Sequence, residues 1–392
     1  MTFETAKETR FEFATATRII FGAGTLREIG PLAVEMGGKA LVVTGGTIAR
    51  AARLLELLAE QKIGTVTFTV TAEPTIEVPR LGTERAREAG CDLVVGFGGG
   101  SILDTGKAIA ALLTNDGDFL DYLEVIGRGQ PLTKPSVPYI AIPTTAGTGA
   151  EVTRNAVLAS PEHHVKVSLR SPLMLPRLAL VDPELTHSLP PGVTASTGLD
   201  ALTQVMEPYV SKRTSPMTDA LCREGMRRAA RSLRRAYEQG DDPAAREDMA
   251  LASLFGGLAL ANAQLGAVHG FAGPLGGMFG GAHGAICARL LPHVMAVNVR
   301  ALQERDAGSR ALGRYEEIAR VLTGDDKATA DDGIAWVQEL CQALQVPSLA
   351  SYGITQADLT EVIEKSSAAS SMRGNPIDLT SDEMREILEG AR

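Results

Sequence analysis

The stretch CDLVVGFGGGSILDTGKAIAALLT, residues 91–114, decides the fold. Its first half is an unbroken apolar run too short for a helix, and it ends in the consecutive glycines Gly98, Gly99 and Gly100. From Ser101 the apolar residues recur at helical spacing. A continuous apolar strand feeding a helix belongs to a parallel sheet covered on both faces. The amides that open such a helix have no intrahelical partners, and glycines let an anion approach the main chain, so Gly98–Ser101 reads as a phosphate site. The competing reading is a plain tight turn with Ser101 as the helix cap. Two standard fingerprints fail here. Gly96-x-Gly98-x-x-Ser101 lacks the last glycine of the dinucleotide motif. Gly106-Lys107 is no P-loop either, because Ser101 stands where its first glycine should be and Ala108 replaces the magnesium-binding hydroxyl.

Outward from this segment the same alternation continues. KALVVTG (39–45) and GTVTFTV (64–70) read as strands, as does VPYIAIPTT (137–145), with helices predicted to about Gln61 and over 79–90. A second loop, PTTAGTGAEVT (143–153), follows its strand with small residues and hydroxyls. Two such loops in one sheet suit a ligand with two phosphates. Beyond about Pro190 strand patterns vanish and helices are predicted over 191–209, 215–238, 243–265, 283–306, 310–323 and 328–345. The expected architecture is an α/β nucleotide-binding domain, Rossmann-like, over residues 1–188, and an all-α domain over 189–392, with a ligand cleft between them.

Composition narrows the partners. The 392 residues carry a formal charge of −9, which disfavours nucleic acid and anionic membrane surfaces. No run approaches the roughly 18 uninterrupted apolar residues of a membrane span, and the opening MTFETAKETRFEF has no signal-peptide core. Cys91, Cys222, Cys287 and Cys341 are scattered without a C-x-x-C pair and read as reduced, mostly buried thiols. A cytoplasmic protein with a small-molecule partner is the expectation.

Metal chemistry is suggested by three residues. His269 and His283 lie 14 apart, with glycines and one proline between them, so a turn is expected to bring them together. Asp200 completes a carboxylate–imidazole set with an open position for a substrate oxygen. Gln204, four residues on, faces the same way on a helix. His163, His164 and His187 read as surface or satisfied core residues, and His293, behind a helical proline, as a packing or capping one.

These motifs converge on one family. GGGSILDTGK, PTTAGTGAEVT, LVDPELTHSLPP, TGLDALTQVMEPYVS and HGAICARLLPHVMAVN occur in an order that resembles the iron-containing (group III) alcohol dehydrogenases, a branch of the dehydroquinate-synthase-like fold. The resemblance implies an NAD(P)(H)-dependent dehydrogenase of a small alcohol, aldehyde or keto substrate, with Fe2+ or Zn2+ as a divalent metal, and a homo-oligomer, dimer or larger. It implies that Gly98–Ser101 hold the pyrophosphate with Asp104 nearby, that Thr144, Thr145 and Thr148 line the adenine and ribose side, that Lys166 contacts the ribose, and that Leu185 lies beside the adenine. It also implies the metal ligands Asp200, Gln204, His269 and His283.

The chain departs from the family pattern at two ligand-region positions and one cofactor position. Gln204 replaces a histidine ligand, and Gly273 replaces a histidine to which proton handling is often assigned. Gly45 stands where NAD-preferring relatives have an aspartate, so repulsion of a 2′-phosphate is removed, and Thr47 or Arg50 is placed to bond it. NADP(H) is therefore an expected cofactor. The alternatives are a metal-independent reductase similar to maleylacetate reductase, a dehydroquinate-synthase-like lyase, and a non-catalytic nucleotide-binding protein.

Overall fold

The computed structural model describes residues 10–163 and 165–392. The start of the sequence, MTFETAKET, and His164 lie outside the described residues.

Among the described residues, the first half holds eight strands and five α-helices. In chain order these are β1 (Ile19–Phe21), α1 (Ile29–Val34), β2 (Lys39–Gly45), α2 (Ala52–Glu60), β3 (Gly64–Val70), α3 (Glu77–Ala89), β4 (Leu93–Gly98), α4 (Gly100–Leu112), α5 (Phe119–Tyr122), β5 (Tyr139–Pro143), β6 (Asn155–Ser160), β7 (Val165–Arg170) and β8 (Leu178–Val181). Six strands form one parallel sheet in the order β1-β8-β5-β4-β2-β3, and β6 and β7 form a separate antiparallel hairpin. Every residue of β4 and β5 is buried, as their unbroken apolar runs require. Alternate residues serve opposite faces: Val42 and Val95 pack with Ile29, Leu54 and Leu58 from α1 and α2, whereas Leu41, Val43 and Val94 pack with Leu103 and Ile109 of α4.

The second half is helical: α6 (Pro191–Val210), α7 (Pro216–Glu238), α8 (Pro243–Asn262), α9 (Ala267–Phe279), α10 (His283–Arg305), α11 (Arg310–Thr323), α12 (Ala330–Ala343), α13 (Leu359–Ala368) and α14 (Ser381–Ala391). Proline opens α6, α7 and α8, where its missing N–H is no loss, and Ser215 and Asp242 cap the last two. α6 is the central helix, with every residue from Gly198 to Val210 buried. α10 is long and apolar enough by composition to cross a bilayer, yet 78% of its most apolar stretch is buried in this helical layer.

The sequence-based assignments recover β2 and β3 to the residue and miss β1, β8 and the β6–β7 hairpin. They also miss α9. The glycine- and proline-containing segment after His269 is expected to be a turn, but it is helical to Phe279, and only residues 280–282 separate it from α10.

The loop after β5 joins the two halves by backbone contact. Gly149 takes a left-handed conformation (φ 59°) against α8, and a side chain at Gly257 would place its Cβ 2.2 Å from the Gly149 carbonyl oxygen. Only glycine fits at both positions. Gly257→Ala is expected to destabilise the protein by about 1–3 kcal/mol through overpacking. A lowered thermal midpoint checks this, and an unchanged midpoint contradicts the contact.

Candidate active site

Two loops at the carboxyl edge of the sheet carry the predicted cofactor residues. Gly99 occupies the cap position of α4 with extended backbone, and no side chain accepts from the first turn. Ser101, read from sequence as a possible cap, lies inside the helix instead. The open amides remain available to an anion. A Cβ on Gly99 would lie 3.2 Å from Thr145 Oγ1, and one on Gly100 2.9 Å from Thr148 Oγ1, so the two loops touch where these glycines stand. Thr144 is buried, its N–H bonded to the Gly98 carbonyl.

Other predicted cofactor residues have protein partners. Asp104 Oδ2 accepts the Val157 N–H at 2.9 Å, while Oδ1 lies 3.4 Å from Lys107 Nζ. Lys107 is fully buried and also donates to Thr153 Oγ1 and the Asn155 carbonyl. Burial raises the Asp104 carboxyl and lowers the Lys107 ammonium, and their mutual attraction opposes both shifts. Asp104 thus ties the β6–β7 hairpin to α4. Lys166 pairs with Glu73 at 2.8 Å and lies against Gly276 of α9. Leu185 lines a cavity of about 240 Å³ with Gly24, Leu26 and Asp182. Arg50 donates to the Leu185 carbonyl and to Ser188 Oγ.

The second cluster lies among α6, α9 and α10. Asp200 Oδ1 is 3.4 Å from His269 Nε2 and 4.0 Å from His283 Nε2. Cys287 joins them: one ligating atom from each of Asp200, His269, His283 and Cys287 lies within 4.8 Å of all the others. Its Sγ is 3.7 Å from His283 Nε2. Sequence reasoning passed over Cys287, although it stands four residues after His283 on one helix, a spacing that puts both on the same face. Gln204 is also close by, with its amide nitrogen donating to the Gly147 carbonyl at 2.9 Å.

Charge in this cluster is mutually supported. Burial opposes ionisation of every member. The imidazoles nevertheless hold the Asp200 carboxyl and the Cys287 thiol below their ordinary ranges. Cys287 and Asp200, joined by Glu207 at His269, in turn raise both histidines. Asp200 Oδ1 and His269 Nε2 are nevertheless buried without a hydrogen-bond partner. Unpartnered buried polar atoms that converge from two helices are what a bound cation satisfies. The donors fit a divalent metal.

Glu207, which sequence reasoning also missed, aims His269. Its Oε2 lies 2.7 Å from His269 Nδ1 and its Oε1 accepts the Val268 N–H at 2.6 Å. A carboxylate at Nδ1 keeps the proton there and leaves Nε2 free to face Asp200. His163 bonds Ser160 Oγ through Nδ1, and His293 packs against Gly390, where burial and Arg289 lower its imidazole to about 4. Neither belongs to the cluster.

The chain matches two family models, "Iron-containing alcohol dehydrogenase" over residues 16–183 and "Fe-containing alcohol dehydrogenase family, C-terminal" over residues 194–392. It is 36% identical over 379 residues to alcohol dehydrogenase 4 of Schizosaccharomyces pombe, covering 95% of this chain and 87% of the relative. A solved 1,3-propanediol oxidoreductase superposes with a TM-score of 0.90 at 33% identity, over 98% of this chain and 100% of that one. Sulfoacetaldehyde reductase from Bifidobacterium kashiwanohense, solved with NAD+, superposes at 0.86 and 28% identity, over 97% and 98% of the two chains.

Gln at position 207 has one acceptor oxygen where Glu207 has two, so either the Val268 N–H or the His269 Nδ1–H loses its acceptor and His269 is no longer held as before. Glu207→Gln is expected to weaken divalent-metal binding by about 10–100-fold. Metal titration checks this, and wild-type affinity in the variant contradicts the orienting role.

Proposed function

The chain belongs to the iron-containing alcohol dehydrogenase family and is an oxidoreductase of CH–OH groups using a nicotinamide cofactor; on that premise we propose that Asp200, His269 and His283 form its reaction centre. The substrate is a small alcohol or the corresponding carbonyl. The observation that carries this reading is the pair of buried, unpartnered atoms Asp200 Oδ1 and His269 Nε2, 3.4 Å apart.

Each part of the site has a task in this reading. A bound divalent ion supplies Lewis acidity that makes a hydroxyl easier to deprotonate, and the nicotinamide supplies the hydride acceptor. Asp200, His269 and His283 hold the ion. The open first turn of α4 binds the diphosphate, and Thr145 and Thr148, which touch its glycines, line the adenine and ribose side. Gly273, one turn beyond His269, carries no side chain to take a proton, and nothing lies within 4 Å of where its Cβ would be. The substrate proton therefore leaves to solvent on the side where His283 is 34% exposed. Leu185, at the 240 Å³ cavity, lies at the adenine end.

Purified protein with NAD+ or NADP+ and a carbinol-deuterated short alcohol tests this. Deuterium is expected in the reduced nicotinamide, and Asp200→Asn is expected to abolish turnover while leaving cofactor binding intact. Full activity in that variant overturns the assignment.

The same geometry supports acceptance of NADP(H). A Cβ at Gly45 meets nothing within 4 Å, and Arg50 stands beside the Leu185 carbonyl and Ser188. An aspartate fits at position 45 and would repel a 2′-phosphate. Gly45→Asp is expected to lower the ratio of kcat/KM for NADP+ over NAD+ by about tenfold or more, equivalent to roughly 1.4 kcal/mol. An unchanged ratio contradicts the placement.

A further inference from the structure

We propose that this chain completes its metal site with the Cys287 thiolate rather than a side chain at position 204, giving an Asp–His–His–Cys donor set suited to zinc. This rests on the metal-site reading above and goes beyond it in the identity of the fourth donor and the metal it selects.

Three observations converge on Cys287. The residue is fully buried on α10, one turn after His283, with its Sγ 3.7 Å from His283 Nε2 and within 4.8 Å of the ligating atoms of Asp200 and His269. Donors on a tetrahedron around zinc stand roughly 3.3–3.6 Å apart, given bonds of about 2.0–2.3 Å. The four atoms need only a small contraction to close on an ion. Asp200 Oδ1 and His269 Nε2, both buried and unpartnered, converge on the same space.

The side chain at position 204 has its amide nitrogen committed elsewhere. The Gln204 amide donates to the Gly147 carbonyl, and its Cβ is backed by Gly256, where an added Cβ would stand 3.0 Å away. What remains at position 204 is a neutral amide oxygen, a weaker donor to zinc than a thiolate.

The bland account of a buried cysteine is that it acts as a small apolar residue. Cys341 shows what that looks like in this fold: it sits in the helical core, and its thiol donates to the Ala288 carbonyl. Cys287 belongs to the same core cluster, but its thiol lies among a carboxylate and two imidazoles.

A thiolate changes which metal the site holds. Sulfur donors favour zinc over ferrous iron. With Asp200 and Cys287 both anionic, the protein also neutralises the full charge of a divalent ion. Zinc accepts a fifth donor, which leaves room for a substrate oxygen. On metal uptake the S–H bond breaks, the electron pair goes to the metal–sulfur bond, and the proton leaves to solvent.

Cobalt substitution of the full chain tests the proposal without reference to turnover. The wild-type protein is expected to show a near-ultraviolet thiolate-to-cobalt charge-transfer band, and the zinc form a sulfur shell at about 2.3 Å by X-ray absorption. The band should vanish in Cys287→Ser and persist in Cys91→Ser. Should Cys287→Ser not fold, the two wild-type spectra decide alone. Visible cobalt bands with no charge-transfer band and no sulfur shell overturn the Cys287 assignment and leave the metal site standing. Failure of the wild-type chain to bind cobalt or zinc overturns both.

Discussion

The site depends on one carboxylate. Glu207, buried on α6, accepts the Val268 N–H with one oxygen and faces His269 Nδ1 with the other. The first contact matters because α9 is a poor helix by composition: four of its thirteen residues are glycine, and Pro274 sits inside it. Its first turn is held from outside, by Glu207 at Val268 and by Asn375, whose Oδ1 accepts the Ala267 N–H at 3.1 Å. A charged acceptor at a helix N-terminus is favourable both as a hydrogen bond and against the helix dipole. The same group therefore makes α9 a helix and sets the tautomer of the histidine it carries.

α6 extends this control to the cofactor edge. Asp200, Gln204 and Glu207 follow at spacings of four and three, so they lie along one face of the helix. Asp200 points into the cluster, Gln204 holds the Gly147 carbonyl, and Glu207 orients His269. Gly147 belongs to the loop whose Thr145 and Thr148 touch the α4 glycines, and whose Gly149 lies on α8. The loop after β5 and the Asp200–His269 pair are thereby tied to a single buried helix. Hydride transfer needs reacting atoms held within about 3–3.5 Å, and a continuous chain of short contacts is the means this fold has to hold them.

Legibility in the sequence followed the range of the interaction. Strands such as KALVVTG are buried on both faces and declare themselves by composition, whereas β1 has only three residues and exists because β8 pairs with it. α9 was unreadable because its stability comes from Glu207 and Asn375, 60 or more residues away, while its own glycines argue for a turn. Gly98–Gly100, Asp200, His269 and His283 were singled out by residue type in an unusual setting, and the fold brings each group together. Cys287 was passed over because a lone cysteine without a C-x-x-C partner looks structural. The spacing His283-x-x-x-Cys287 on a predicted helix was the available signal. Gln204 reads from sequence as a weakened ligand, and its bond to Gly147 gives it a role that no local pattern encodes.

We propose that reaction takes place at the Asp200–His269–His283 cluster with a metal ion held there. The most direct measurement is turnover as a function of metal occupancy in protein stripped by a chelator and reloaded in steps, with NAD(H) binding followed in parallel. Activity is expected to rise in proportion to bound metal and to saturate at one ion per chain, while cofactor affinity stays constant. Full turnover by the metal-free protein would contradict it.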